Sequence, residues 1–117
     1  MMAPKRILVV EDEPMIGFYL EDLLEALGWQ SIGVATRVNQ ALRLLETETP
    51  DAAILDVNLH GERSYPVADL LAARQIPYLF ATGYGDTEHP EQHRGVPTIT
   101  KPYTLHEVES ALAICGV

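Results

Sequence analysis

The chain has 117 residues, 47% of them hydrophobic, and a formal charge of −9 from 17 acidic and 8 basic side chains. That length predicts one domain with one hydrophobic core. The acid excess argues against nucleic acid and anionic membrane as direct partners, because both are held through clustered Lys and Arg. A single cysteine, Cys115, excludes an intramolecular disulfide and fits a reducing compartment. The apolar run Ile7–Val10 stops at Glu11-Asp12-Glu13, too short for a signal-peptide core or a membrane span, so a cytoplasmic protein is expected.

In chain order, five apolar runs read as strands: Ile7–Val10, Ser31–Ala35, Ala52–Leu55, Tyr78–Ala81 and Thr98–Thr100. The first, third and fourth lack polar alternation, as parallel strands covered on both faces do. Between the first two, Pro14 opens a helix whose apolar face is Ile16, Leu20, Leu23, Leu24 and Leu27, ended by Gly28. Trp29 follows as a partly buried anchor. A second helix, with Thr36 as its expected N-cap, carries Val38, Ala41, Leu42 and Leu45. A third, with Ser64 as its expected cap, carries Val67, Leu70 and Leu71. The segment from Gly83 to Gly95 holds glycines, Pro90 and several charges, and predicts a short or irregular fourth helix. Thr104 and Glu107 have capping-box spacing, and Leu105, Val108 and Leu112 give the last helix its buried face. The pattern is a (βα)5 doubly wound parallel sheet with helices on both faces, and it uses residues 1–117 with no output domain.

Ligands of such sheets bind beyond the carboxyl ends of the strands, where strand order reverses. Glu11 and Asp12 follow the first strand, Asp56 closes the third, Thr82 and Gly83 follow the fourth, and Lys101 follows the fifth. With strand order 2-1-3-4-5, Asp12 and Asp56 converge, bordered by Thr82 and Lys101. Crowded carboxylates are hard to keep ionised without a cation, and oxygen ligands of this kind suit Mg²⁺. A carboxylate beside Mg²⁺ can accept a phosphoryl group in line, its charge steadied by the metal, an ammonium and a hydroxyl. Asp56, alone at its strand end, is the better nucleophile; Glu11 and Asp12 are the better metal pair.

Val9-Val10-Glu11-Asp12-Glu13-Pro14, Ile54-Leu55-Asp56-Val57-Asn58-Leu59, Thr82-Gly83 and Lys101-Pro102-Tyr103 together resemble the receiver domain of two-component response regulators. Phe80-Ala81-Thr82-Gly83-Tyr84-Gly85 is similar to the FATGUY-type single-domain receivers of alphaproteobacterial stress and phosphorelay signalling. The resemblance implies a flavodoxin-like fold and a phosphoacceptor, Asp56, charged by a sensor histidine kinase or histidine phosphotransfer protein. It implies that Asp12 binds Mg²⁺ directly, Glu11 through water, and Asn58 through its carbonyl. Thr82 would swing in to bond the phosphoryl group, Lys101 would pair with it, and the small Gly83 would leave access for the donor. A cis bond before Pro102 is typical of the family. Such a domain modifies and dephosphorylates itself but turns over no metabolite. It acts through a downstream regulator or by passing phosphate on, as a monomer or weak homodimer.

Two departures stand out. Thr98 occupies the place, three before the lysine, where the family usually has its switch aromatic, leaving Tyr84 or Tyr103 to substitute. His60 stands where many receivers have proline. The alternative function is a Mg²⁺-dependent aspartyl-phosphate phosphotransferase or phosphatase, but those enzymes need an acid two places after the nucleophile, where Asn58 stands. A flavin mononucleotide binder is disfavoured because acids occupy the phosphate loop. Taken alone, Glu11-Asp12-Glu13 reads as charge at a helix N-terminus, and Asp56 as a turn former. His89 and His93 have helical metal-ligand spacing but, lacking a third ligand, read as a solvated surface pair. Cys115 reads as packing or a frayed end, not a nucleophile.

Overall fold

The structure is a computed structural model and describes residues 4–83 and 89–116. Its strands and helices, in chain order, are β1 (Arg6–Val10), α1 (Pro14–Ala26), β2 (Gln30–Ala35), α2 (Val38–Thr47), β3 (Ala52–Asp56), β4 (Asn58–Leu59), β5 (Glu62–Arg63), α3 (Tyr65–Ala73), β6 (Tyr78–Thr82), β7 (Thr98–Thr100) and α4 (Leu105–Ile114). Five strands form one sheet in the order β2-β1-β3-β6-β7, all paired in parallel. Counting only these strands, this is the expected 2-1-3-4-5 order. The β4–β5 pair is a small antiparallel hairpin that the sequence pattern did not reveal.

Alternation along the strands divides the core in two. Leu8, Val10, Ala53, Leu55 and Phe80 face α2 and α3, against Val38, Ala41, Leu45, Val67 and Leu71. Ile7, Val9, Ile54, Leu79 and Ile99 face α1 and α4, against Leu20, Leu24, Val108 and Leu112. Both faces of β1, β3 and β6 are thereby covered, which is why these strands read as unbroken apolar runs. Gly17 lets α1 lie close on β2, since a Cβ there would come within 2.9 Å of Val34 Cγ1.

Helix boundaries depart from expectation in instructive ways. α2 is entered one residue later than expected, at Arg37, because the Thr36 side chain is spent on Gln40 Oε1, 3.1 Å away. Ser64 stands at the N-cap of α3, but its hydroxyl makes no capping bond. Thr104 and Glu107 do form the reciprocal capping box of α4. Leu105, expected in the buried face, is exposed; it is the first residue of a helix that starts beyond the end of β7, with no sheet beneath it.

The fourth crossover has, among the described residues, a single 3₁₀ turn, Glu91–His93, in place of a helix. His93, expected on the surface, is completely buried, with its ring nitrogens 2.5 Å from Tyr78 Oη and 2.7 Å from Asp69 Oδ1. His89 lies on Phe80 with ring centroids 4.2 Å apart. The two imidazoles thus cover the side of β6 that a helix would otherwise cover. Trp29 is half-buried, and the Cys115 thiol packs against the Tyr78 carbonyl at 3.3 Å. Among the described residues, no helix is long and apolar enough to cross a membrane.

Candidate phosphoryl and metal site

Register builds the site. Val10 pairs with Leu55, so the next residues, Glu11 and Asp56, emerge side by side at the carboxyl ends of β1 and β3. Asp56 pairs in turn with Ala81, placing Thr82 one step further out, and the Lys101 amide donates to the Thr82 carbonyl at 2.8 Å. Three acids, a hydroxyl and an ammonium are therefore delivered by four adjacent strands.

One carboxylate oxygen from each of Glu11, Asp12 and Asp56 lies within 4.8 Å of the others. Glu11, Asp56 and Thr82 are buried, and Lys101 is largely so. The Lys101 ammonium bonds Glu11 Oε1 and reaches Asp56 Oδ2 at 3.2 Å. Backbone donors hold three further oxygens: the Glu13 amide donates to Glu11 Oε2 at 3.1 Å, the His60 amide to Asp12 Oδ2 at 3.0 Å, and the Asn58 amide to Asp56 Oδ1 at 3.4 Å. His60 achieves this with φ 53, a left-handed conformation, followed by Gly61 at φ 84. The Gly61 amide donates to Asn58 Oδ1 at 2.9 Å, turning that side chain into the hairpin. The Lys101–Pro102 bond is cis, as the resemblance implies.

The charges do not balance. Burial, then the neighbouring Glu11 and Asp12, push Asp56 from an aspartate's ordinary 3.8 to about 8, with Lys101 opposing them. Asp12 moves the other way: burial raises it, but bonds with Glu11, Asp56 and His60 outweigh that and hold it below the usual range. Burial lowers Lys101, and its bonds to Glu11 and Asp56 more than restore it, so the ammonium stays charged. At neutral pH the cluster relieves its repulsion by keeping a proton on Asp56. A divalent cation with oxygen preference would do the same and leave Asp56 ionised, so the residues fit Mg²⁺. Asp12, open to one side and tethered by a backbone bond, is suited to direct contact; the buried Glu11 is already committed to Lys101.

Two tyrosines frame the approach. Tyr103 is buried beside the site and stacks with Tyr19 at 6.4 Å, and among the described residues its hydroxyl has no hydrogen-bond partner. Together with Ile16, Lys101 and Pro102 they line a cleft of about 310 Å³. Met15, Phe18 and Tyr19 are exposed on α1 beside it. Gly83 is exposed, and among the described residues a Cβ there would meet nothing within 4 Å. Tyr84, the other expected switch aromatic, lies outside the described residues. Sequence reasoning missed the His60 amide and the α1 aromatics; the His60-Gly61 pair was the one local signal for the former.

The chain is 33% identical over 114 residues to the phyllosphere-induced regulator PhyR of Methylorubrum extorquens, covering 92% of this chain and 42% of PhyR. It is 26% identical over 116 residues to the transcriptional regulatory protein PdtaR of Mycobacterium tuberculosis, covering 96% of this chain and 57% of PdtaR. The chain thus spans about half the length of these curated relatives. Among solved structures, SdrG from Sphingomonas melonis Fr1 matches with a TM-score of 0.88 and 48% identity over the full length of both chains. The BeF3-activated conformation of SdrG, from Pseudomonas melonis Fr1, matches at 0.82 and 47%, again over all of both chains. The family model for the response regulator receiver domain matches residues 7–113, and the chain belongs to that family.

Proposed function

We propose that this chain is a phosphorylatable signalling module that accepts a phosphoryl group on Asp56 from a phosphohistidine donor. The observation that carries the reading is the placement of a buried Asp56 at a strand end, 3.2 Å from Lys101 and within 4.8 Å of Glu11 and Asp12. In the transfer, an ionised Asp56 oxygen attacks phosphorus, the phosphorus–nitrogen bond breaks, and the imidazole leaving group keeps the electron pair. Glu11, Asp12, Asp56 and the Asn58 carbonyl would hold Mg²⁺, which supplies positive charge to the phosphoryl oxygens when bound. Lys101 gives up its Asp56 bond to pair with a phosphoryl oxygen, and the Thr82 hydroxyl donates to another. Gly83 leaves the approach open. Tyr103, buried beside Lys101 and with no hydroxyl partner among the described residues, is an aromatic able to respond to that exchange.

The donor is a sensor histidine kinase or a histidine phosphotransfer protein. Its histidine-bearing helix packs on the exposed Met15, Phe18 and Tyr19 of α1, beside the cleft leading to Lys101. The output is protein–protein contact or onward phosphate transfer in the cytoplasm. Likeness to the PhyR stress response regulator supports a place in stress signalling. A turnover phosphatase is disfavoured because Asn58 is a carboxamide whose oxygen is engaged by Gly61. Incubation with Mg²⁺ and acetyl phosphate followed by intact-mass measurement tests the reading. A stoichiometric phosphoryl adduct, lost in Asp56→Asn, is expected; no adduct in the wild-type chain refutes it.

A further inference from the structure

The phosphoryl chemistry makes no use of the histidines on the β6–β7 side of the sheet, yet their bonding is unusually complete. His89 Nε2 is 2.8 Å from Thr98 Oγ1 on β7, and its Nδ1 is 3.0 Å from Tyr65 Oη at the start of α3. The same ring lies on Phe80, at 4.2 Å between centroids, and meets Tyr65 edge-on at 5.9 Å. Behind it, the fully buried His93 is fixed between Tyr78 and Asp69. His89 thus joins three elements, and its contact at β7 is Thr98, three residues before Lys101.

Phe80 and Thr82 are two residues apart on β6, so their side chains project to the same face of the sheet. In register, Phe80 pairs with Thr98 and Thr82 with Thr100. A turn of Thr82 toward a phosphoryl group on Asp56 therefore disturbs the strand face on which the His89 ring rests. The small Thr98 side chain provides a hydroxyl to hold that ring where a bulky ring of its own would displace it.

We infer that His89 is a latch that reports phosphoryl occupancy of Asp56 to the surface formed by α3 and β7. Its bonds to Thr98 and Tyr65 belong to the conformation in which Lys101 bonds Asp56 directly, and they are released when Thr82 engages the phosphoryl group. The inference rests on the receiver reading above. Coupling is reciprocal: whatever weakens the latch strengthens binding of a phosphoryl mimic by the same factor.

The test uses the full chain with Mg²⁺ and beryllofluoride, following the imidazole resonances of the histidines by NMR. His60, whose amide bonds Asp12, reports occupancy of the site itself. In the wild-type chain His60 and His89 are both expected to shift. Thr98→Val and Tyr65→Phe each remove that residue's hydrogen bond to His89 with little change of volume, and each is expected to tighten beryllofluoride binding about fivefold. If His60 shifts while His89 does not, or the variants bind with unchanged or weaker affinity, the latch is overturned and the receiver reading stands. If the wild-type chain takes up neither beryllofluoride nor phosphate from acetyl phosphate, both fall.

Discussion

At the ends of β1 and β3 three carboxylates lie within 4.8 Å around one lysine, whereas beside β6 and β7 two imidazoles have a partner for every ring nitrogen. Both are sets of polar groups taken out of water, where an unpaired group is costly. The histidine cluster meets that cost with hydroxyls, one carboxylate and aromatic rings, and is complete as it stands. The acidic cluster meets it only in part, by raising Asp56 until it holds a proton. The difference separates a region whose own groups satisfy one another from one built to take something up: a cation, and then a phosphoryl group.

Three substitutions set the regions against each other. The largest effect is on chemistry: Asp56→Asn should abolish the acetyl-phosphate adduct seen by intact mass, while His93→Ala should retain it in full. An adduct in Asp56→Asn would place the phosphoacceptor elsewhere. Next in size, His93→Ala empties a fully buried ring site and strips Tyr78 of its short bond, and should cost about 3 kcal/mol in urea unfolding. That loss should be the same with and without Mg²⁺. Lys101→Ala should cost less, about 2 kcal/mol without metal, because Asp56 already holds a proton and only Glu11 loses an ionic partner. Millimolar Mg²⁺ should recover most of it. A Mg²⁺-independent loss at Lys101 would mean the lysine serves packing alone, and the contrast between the regions would collapse.

Legibility in the sequence follows the same division. The acidic site could be read because its members stand at the ends of apolar runs, so strand order alone brings them together. β1, β3 and β6 announced themselves as unbroken apolar runs for the reason that both faces are covered. The histidine cluster could not be read. His93 is buried by partners 15 and 24 residues away, and spacing along the chain carries no trace of that. The β4–β5 hairpin has strands of two residues, shorter than any periodicity can register. Thr36 had the right chemistry for a cap but found Gln40, a local competitor that composition alone does not rank.

The finest test of the contrast is the pH dependence of stability, because only the acidic cluster carries a strongly displaced carboxyl. Asp56 binds its proton up to about pH 8 in the folded chain, but only to about its ordinary 3.8 when unfolded. Between those limits the folded state holds a proton that the unfolded state has lost, so stability falls as pH rises, by about 1.4 kcal/mol per pH unit at most. Below the window Asp56 is protonated in both states, and above it in neither, so its contribution levels off. Asp12 has the opposite sign, since its lowered value contributes stability that is lost only as pH falls below the window. Lys101 is raised above its ordinary 10.5 and stays charged throughout. Urea unfolding from pH 5 to 8 without metal should therefore show a decline that is absent in Asp56→Asn and flattened by Mg²⁺, which favours the ionised carboxylate. Equal slopes in the wild-type chain and Asp56→Asn would show that the proton is held elsewhere, and that the acidic cluster is as fully compensated as the histidines.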